Sequence, residues 1–532
     1  MPPPFRPPRR SVPGNAPPTR RRVAPLTSSC DIPPEVRAIM TFLFRGTRLP
    51  HLRWTPPVAS LLVFATCGQA APLALDDAVR LALQHNRSLK VSAFSPEIAR
   101  ANLLAESGRF DPALTFRRTY REGETALNLA PLTRALTQSD DYALSLGGLT
   151  PWGLTYSLGA TAENQRGSFN RFTDNFVAFG GISVTQPLLR GFGLAANLAG
   201  LRIARADRSI ADWQHRQTII ETVTHVVIAY TSLAQARENV RIARLSRDLT
   251  AQLVEQNEKR NRAGQISDAD VIQARARLAA RDEQVLVARR FAADTQNQLR
   301  QLLGEAAFPP EAPEVEIEPL VPAPPVTIDA AVDLQRAYAL RPDFLAARQG
   351  VVRHRAAHAA AQHQLLPRVD FIGSYGYTGM DRDFGAARRQ VRDQDVRAYS
   401  AGVVVSLPLT FAEGRGRARA AQLRVRESEA EQARLEQAIA VEVAAAAGQI
   451  ETTRQRVAST RTALELARQA LEAEQKKLQA GSGRTLDVLT SQEQLALVEN
   501  SYARALADQR RAHAIYDREI GATLERRQIK VE

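Results

Sequence analysis

The 532-residue sequence has little cysteine, and both cysteines, Cys30 and Cys67, precede residue 70. A mature chain that began after residue 70 would therefore contain none, and disulfide bonds could not support its fold. No internal apolar run reaches the ~18 residues of a membrane-spanning helix. The sequence also has no nucleophile elbow, phosphate-binding loop or pair of catalytic carboxylates. These absences argue against an enzyme and against a protein that crosses a membrane by internal helices.

The charge distribution argues against a nucleic-acid partner. The net charge is +14, but residues 1–70 contain ten arginines, no lysine and two acids. This segment alone supplies a net +8, which leaves about +6 for the other ~460 residues. No basic stripe interleaved with aromatic residues follows. We therefore expect no nucleic acid among the partners.

The first 70 residues are expected to be a leader. Residues 1–39 are rich in proline and arginine, which indicates a disordered leader or a chain that truly starts at Met40. Residues 40–70 resemble a secretory signal, with arginines followed by an apolar stretch and small residues, and predict cleavage after Ala70. Lipidation of Cys67 is the alternative. Thr66 disfavours it, because a small Gly, Ala or Ser is expected just before a lipidated cysteine.

The rest of the chain is an internal duplication. Gly264 precedes Asp270 by six residues, and Gly481 precedes Asp487 by the same interval. The sequences Val-Thr-Gln-Pro-Leu (184–188) and Val-Ser-Leu-Pro-Leu (405–409) recur at nearly the same offset, about 221 residues. The offset rises to about 253 between the opening helices, so the first copy carries an insertion of roughly 34 residues.

Each copy is expected to contain an opening helix, strands, a very long helix and a closing helix. Repeat one covers 73–303, with strands at about 112–187 and helices at 75–107, 194–262 and 268–303. A proline-rich linker, 304–328, precedes repeat two at 329–521, with strands at about 368–409 and helices at 329–365, 412–480 and 486–520. A C-terminal tail follows at 522–532. A helix of ~69 residues spans ~100 Å, so each long helix can pair with its two short helices stacked end to end.

The long helices contain coiled-coil seams at a seven-residue period. The seam positions are Ile219, Val226, Leu233 and Val240 in the first copy and Val443, Ile450, Val457, Leu464, Leu471 and Leu478 in the second. The helices alone would favour a bundle or a cytoplasmic rod. The alternating strands favour an outer-membrane barrel instead, with Leu158 and Val403 facing lipid. A half-buried soluble sheet also alternates, but the aromatic residues crowded around the strands are typical of membrane interfaces.

Four kinds of motif in this order resemble the TolC family of outer-membrane efflux and secretion channels. They are Leu-Asp-Asp-Ala-Val (75–79) with Asn86, Arg-Pro-Asp-Phe (341–344), the two Pro-Leu strand ends, and the two Ala-Gly…Asp-Val turns. The resemblance implies a mixed α/β membrane protein: a homotrimer whose outer-membrane β-barrel continues as a periplasmic α-helical barrel. Four strands per protomer are typical of the family. An extra hairpin around 151–153 makes six the alternative here.

The resemblance also implies partners and sites. The partners would be the lipid bilayer, a periplasmic adaptor and an inner-membrane transporter of the RND or ABC type. The adaptor would contact the hairpin tips at Ala263, Gly264, Gln265, Ala480, Gly481 and Ser482. Asp270 and Asp487 would converge on the pore aperture and be held by Arg484, Arg260 or Arg262. Thr490 replaces a second acid found in some members, which argues against a second acidic ring. The alternative is that both acids only stabilise helix N-termini.

The remaining motifs are expected to be structural. Pro187, Gly191, Gly193 and Pro408 would form the junction between barrel and tunnel. Gly191 and Gly193 also resemble a dinucleotide-binding loop, but no second strand follows at a normal crossover distance. His354, His358 and His363 have helical spacing without a nearby carboxylate or cysteine, which favours a solvated face over a metal site. We therefore expect no cofactor and no metal.

The sequence thus predicts a passive exit duct rather than an enzyme. It would carry small molecules, such as drugs and toxic compounds, or secreted polypeptides, out of the cell, and an inner-membrane pump would supply the energy. The alternative is a periplasmic coiled-coil scaffold without a pore.

Overall fold

The computed structural model describes residues 72–127, 133–304, 315–480 and 482–529. The predictions for the leader and signal peptide, Cys67, Gly481, much of the linker and the end of the tail lie outside the described residues. None of the described helices combines the length and the apolar composition that crossing a bilayer requires.

Repeat one contains four strands between its helices. Its elements are α1 (Leu75–His85), α2 (Arg87–Ser107), β1 (Ala113–Leu127), β2 (Thr133–Leu149), β3 (Thr155–Gly167), β4 (Phe176–Pro187), α3 (Leu194–Asn197), α4 (Ala199–Arg262) and α5 (Asp268–Leu303). Repeat two contains two strands. Its elements are α6 (Ala330–Leu340), α7 (Pro342–His363), β5 (Arg368–Asp381), α8 (Phe384–Asp393), β6 (Val396–Ser406), α9 (Ala412–Gln479), α10 (Thr485–Glu519) and α11 (Thr523–Arg526).

Each predicted opening helix is in fact two helices. Asn86 ends α1 and caps α2, because its side-chain oxygen accepts a hydrogen bond from the Leu89 amide at 3.1 Å. In repeat two, Pro342 occupies the first turn of α7. Proline has no amide hydrogen and disfavours helical geometry in the preceding residue, so the helix breaks at Arg341.

The short helices stack end to end, as the helix lengths predict. Asn86, at the start of α2, donates a hydrogen bond to the Leu302 carbonyl at the end of α5, 2.8 Å away. Arg341, at the start of α7, donates to Glu519 at the end of α10, also at 2.8 Å. The α2–α5 pair packs along α4, and the α7–α10 pair packs against both α4 and α9. The helices therefore form a layer with α2 and α5 at one margin and α9 at the other.

The predicted seams form the core of this layer. All six seam positions of α9 are buried, and in α4 Ile219, Val226 and Leu233 are buried while Val240 is half-buried. The long helices differ in what else they bury. Of the 64 residues of α4, 23 are buried, against 11 of the 68 in α9. One long helix is therefore interior to the protomer, and the other leaves much of its surface uncovered.

A second pair of contacts reveals the duplication in three dimensions. Gly304 and Gly521 follow the two closing helices, with φ of +86° and +72°. A Cβ on Gly304 would lie 2.8 Å from the backbone oxygen of His85, the last residue of α1. A Cβ on Gly521 would lie 2.8 Å from Leu340, the last residue of α6. The same close approach of closing to opening helix thus occurs in both repeats.

The six strands form one antiparallel sheet in the order β1-β2-β3-β4-β5-β6. The two repeats are joined by the pairing of β4 with β5. One register row runs across the sheet and is occupied throughout by exposed large apolar or aromatic residues: Leu114, Leu146, Leu158, Ile182, Tyr375 and Tyr399. We call this side the apolar face.

The opposite side, the polar face, carries small and polar residues. The adjacent register row contains Thr115, Ser145, Gly159, Gly181, Gly376 and Ala398. A Cβ on Gly181 would lie only 2.7 Å from the Cα of Gly376. Such close approach shows that the sheet curls toward the polar face, so the apolar face is convex.

Candidate functional site

The tip of the first helical hairpin is a tight, glycine-dependent turn. The Gln265 amide donates to the Arg260 carbonyl at 2.9 Å, and the Gly264 amide donates to the Asn261 carbonyl at 2.8 Å. These two bonds form a Schellman motif, which needs a left-handed residue after the helix. Gly264 has a φ of +74°, and a Cβ there would meet no atom within 4 Å. The backbone therefore requires glycine, while the space outside the turn is open.

The second tip contains the longer of the two hydrogen-bonded turns of this motif. The Ser482 amide donates to the Lys477 carbonyl at 3.0 Å, as Gln265 does to Arg260. The Ala480 amide donates to the Lys476 carbonyl, also at 3.0 Å. Ala263, Gly264, Gln265, Ala480 and Ser482 are all exposed. The described tip residues thus present a small or polar surface.

The two duplicated aspartates have different surroundings. Asp270 forms a capping box with Ser267: the Ser267 backbone amide donates to the Asp270 carboxylate at 3.3 Å, and the Asp270 amide donates to the Ser267 hydroxyl at 3.3 Å. The hydroxyl also donates to the carboxylate, at 2.8 Å. Asp487 occupies the first turn of α10 but is exposed, and none of the described residues donates a hydrogen bond to its carboxylate. Only Asp270 has a defined local structural role.

Within one protomer, the side chains of the arginines expected beside these acids do not pair with the two carboxylates. Among the described residues, Arg484, Arg260 and Arg262 form no ion pair with Asp270 or Asp487. The negative charge of Asp487 acts on Lys477. The hydrogen bond from Lys477 to Glu474 is the main cause that raises the pKa of Lys477, and the charge of Asp487 raises it further. The Thr490 hydroxyl donates to the Leu486 carbonyl of its own helix at 2.9 Å.

The two hairpin tips lie side by side around a polar cleft of about 800 Å³. Its lining includes Asn257, Arg260, Gln265, Ala480 and Gln492. The Thr485 hydroxyl contacts the Asn257 side-chain oxygen at 3.4 Å across the cleft. Further along, Arg277 and Glu493 form an ion pair at 3.2 Å between α5 and α10. The structure therefore brings residues of both predicted tips to one surface.

The predicted junction residues meet at the other end of the helices. Pro187, Gly191 and Pro408 line one cleft of about 510 Å³ where the sheet joins the helical layer. Gly191 and Gly193 have φ of +89° and +86°. The Gly193 amide donates to the Trp152 carbonyl at 3.0 Å, which ties the β2–β3 turn to the start of α3.

The junction cleft contains an ion pair that sequence reasoning missed. Arg368 donates to Asp370 at 2.6 Å, and Asp370 is only 3% exposed. The two residues lie on the polar face, two positions apart in β5, and a buried acid near a strand end could have been suspected from that spacing. Its second oxygen, Oδ1, has no hydrogen-bond partner among the described residues.

Arg341 is a second residue whose role the motif alone did not reveal. It donates to both carboxylate oxygens of Asp343, at 3.1 and 2.7 Å, and to Glu442 at 2.7 Å, besides Glu519. Burial by itself would lower the Arg341 pKa, but these hydrogen bonds and negative charges outweigh it and raise the pKa. The residue joins α7, α9 and α10 and has a structural function.

The comparisons with known proteins cover both repeats. The sequence model of the outer membrane efflux protein family matches residues 78–305 and 334–515. The outer-membrane channel OprN is 22% identical, with a TM-score of 0.65 over 84% of this chain and 90% of that one. The CmeC outer membrane channel of Campylobacter jejuni is 13% identical, with a TM-score of 0.64 over 90% and 94%. VceC of Vibrio cholerae is 19% identical, with a TM-score of 0.62 over 84% and 96%. No curated protein sequence matches the chain.

These matches confirm the resemblance that the motifs predicted. At such identities the solved structures establish the fold, including its internal duplication. The family match covers well over half of the chain, and it confirms the expected outer-membrane location and an efflux channel rather than an enzyme.

Proposed function

The chain belongs to the outer membrane efflux protein family, and from this premise we propose that three copies form one closed channel. Their sheets would close into a β-barrel in the outer membrane, and their helices would continue it as a tunnel across the periplasm. The channel would be a passive exit duct for small toxic compounds or secreted polypeptides. Its energy would come from an inner-membrane pump of the RND or ABC type.

The sheet carries this proposal. It has an apolar convex face and a polar concave face, and its end strands β1 and β6 each pair with one strand among the described residues. Unpaired strand edges are prohibitive in lipid, so the edges require partners. Three copies would supply eighteen strands. Single-chain bacterial barrels also have an even number of strands. A barrel of about that size encloses an aqueous channel.

The helical layer supports the same closure. At one margin, α2 and α5 expose apolar residues that include Phe94, Leu104, Leu286 and Phe291. At the other margin, α9 exposes Leu423, Val441 and Leu466. Two different surfaces that cover each other make a head-to-tail contact, and such a contact forms a ring when the rotation between neighbouring subunits closes. The β1 and β6 edges belong to the same two margins, because β1 follows α2 and β6 precedes α9.

Channel formation is tested with the full-length purified protein. We expect a heat-modifiable trimer that requires detergent for extraction and produces stepwise conductance in a planar lipid bilayer. Recovery of the chain from the soluble periplasmic fraction, without conductance, would instead support a coiled-coil scaffold without a pore.

The hairpin tips are proposed to contact the periplasmic adaptor. We expect Gly264→Trp and Gly481→Trp to abolish export while the trimer remains intact, because the side chains would fill the docking surface and the seams lie elsewhere. Gly264→Ala is the matched control. It introduces similar backbone strain without bulk, since a Cβ there meets nothing within 4 Å, and it should retain export. Export is measured by cargo accumulation outside the cell, and full export by both tryptophan variants would refute this role.

A further inference from the structure

A short amphipathic helix, α8, lies on the apolar face of the sheet. It connects β5 and β6 at the end of the sheet remote from the long helices. Ala387 is fully buried against the strands. The Phe384 ring packs against Phe176 at 5.7 Å, and the Gln390 side-chain oxygen accepts a hydrogen bond from the Met380 amide at 2.9 Å. The helix is therefore held in a defined position on β4 and β5.

Two strand glycines create the space for this helix. A Cβ on Gly379 would collide with the backbone oxygen of Ala387, and a Cβ on Gly180 would lie 2.9 Å from a methyl carbon of Val391. Both glycines lie on the apolar face, and the register row of Gly180 carries Phe116, Leu144 and Tyr377 on other strands. The sequence of the strands is thus adapted to the docked helix.

The helix forms one wall of an apolar groove of about 200 Å³. The groove floor is the apolar face of β1 to β4, and its lining includes Phe116, Leu144, Ala160, Ala178 and Val391. Arg388 of α8 is the charged residue that lines it. In a barrel with its apolar face outward, such a groove would open toward lipid tails rather than water.

The groove lies where the apolar face becomes polar. Beyond Phe116 and Tyr142, the next residues on the same face are Arg118 and Asp140, which form an ion pair at 3.3 Å. Asp140 also pairs with Arg166 at 3.1 Å. This change from apolar to charged residues marks the level at which lipid headgroups would begin.

Two acids at the ends of α8 are engaged within the helix, whereas Arg388 forms no ion pair in the described structure. Asp393 pairs with Arg392 at 2.9 Å, and Asp383 caps the helix by accepting from the Ala386 amide at 2.8 Å. Arg388 and Arg389 are exposed. Neither forms an ion pair in the described part of the chain, although the charge of Arg389 acts on the Asp393 carboxylate. The groove thus combines an apolar floor with the exposed guanidinium of Arg388 at its rim.

We propose that this groove binds a lipid of the outer leaflet whose phosphate gives it a net negative charge. An acyl chain would occupy the apolar groove, and Arg388 and Arg389 would contact the phosphate. Arginine favours phosphate because its guanidinium donates two parallel hydrogen bonds. This inference rests on the proposed function, since only a membrane-inserted barrel with its helices in the periplasm places α8 at the outer leaflet.

The test measures lipid binding to the full-length trimer in detergent. Fluorescent lipopolysaccharide is titrated onto the wild type and onto Arg388→Gln/Arg389→Gln. We expect binding to weaken ~30-fold in the variant, because each arginine near an anionic lipid contributes about one kcal/mol. Phosphatidylcholine should compete poorly, because it carries no net charge, and inorganic phosphate should compete poorly, because it has no acyl chain. Arg202→Gln/Arg205→Gln, on exposed positions of α4, is the control and should bind normally.

A second variant tests the position of the helix with all arginines retained. Gly379→Val should displace α8 and weaken lipopolysaccharide binding to a similar extent. Gly402→Val on β6, where a Cβ meets nothing within 4 Å, should not. Equal binding by wild type and both groove variants would overturn the inference, as would displacement by phosphate alone. Conductance is recorded on the same preparations. If the wild type conducts but its lipopolysaccharide binding does not depend on Arg388 and Arg389, only the lipid groove is refuted. If the wild type fails to conduct, the channel itself is refuted.

Discussion

The two repeats solve the same structural problem with different chemistry. In repeat one, Asn86 joins the opening and closing helices through neutral hydrogen bonds, and it is 5% exposed. In repeat two, Arg341 occupies the equivalent joint and forms ion pairs with three carboxylates. A buried guanidinium needs several partners before its desolvation is offset, whereas an amide needs only its own hydrogen bonds. The duplicated fold therefore conserves the position of the joint but not the interaction that holds it.

The two repeats also differ in the strands that they contribute to the shared sheet. Repeat one supplies four strands and repeat two supplies two, yet all six continue one register from β1 to β6. Repeat two connects β5 and β6 through α8, whereas repeat one connects β3 and β4 through a segment that contains a 3-10 turn at Ser168–Asn170. The insertion in repeat one therefore extended the sheet without changing its faces. The helical layer remained duplicated, while the sheet became asymmetric.

The largest difference between the repeats should appear at the two joints. Arg341→Met removes the partner of the Glu519 Oε2 atom, while Arg518 still pairs with Oε1, and we expect it to lower the free energy of unfolding by ~3 kcal/mol. Asn86→Ala should lower it by only ~1–3 kcal/mol, because it leaves a neutral carbonyl unpaired. Denaturant unfolding followed by circular dichroism measures both. Arg348→Met, an exposed arginine on α7, should be neutral, and equal losses at the two joints would contradict the comparison.

The next effect tests whether strands from both repeats face the same lipid. We expect Leu158→Lys in β3 and Val403→Lys in β6 each to destabilise the barrel by ~2–4 kcal/mol near the midplane. Alanine at either position should be tolerated. Trimer yield on unheated gels measures the effect. Ser157→Lys and Ser400→Lys, on the polar face, are matched controls that should assemble normally, and normal assembly of both apolar-face lysine variants would mean that the faces are reversed.

These two tests also show what the sequence could predict. Periodicity revealed the long helices, their buried seams and the two faces of the sheet, because each depends on side chains that repeat at short intervals. The ion-pair network of Arg341 could not be found in this way, since its partners lie 101 and 178 residues away. The docking of α8 could not be predicted either. Gly180 and Gly379 lie on different strands, and they make room for one helix only because β4 and β5 are paired.

The tips showed the limit of reasoning from duplication. Equal spacing predicted equal roles for Asp270 and Asp487, and proximity in sequence suggested arginine partners for both. Within one protomer, Asp270 lies in a capping box and the charge of Asp487 acts on Lys477, while the place of both acids at a pore aperture stays a prediction. Side-chain direction within a helical turn decides such contacts, and spacing alone does not specify it.

The smallest expected effects distinguish these two aspartates. Ser267→Ala removes the hydroxyl from the capping box and should cost ~1 kcal/mol, whereas Arg484→Ala, at the N-cap of α10, should cost almost nothing because its side chain makes no capping bond. For conductance the order should reverse. Asp487→Ala should change the block of single-channel current by divalent cations more than Asp270→Ala does, because the Asp487 carboxylate is exposed and the Asp270 carboxylate already accepts from Ser267. Bilayer recordings with added magnesium measure this difference. The same divalent block in both variants and the wild type would remove both acids from the pore aperture, while equal changes in both would restore the symmetry that the sequence suggested.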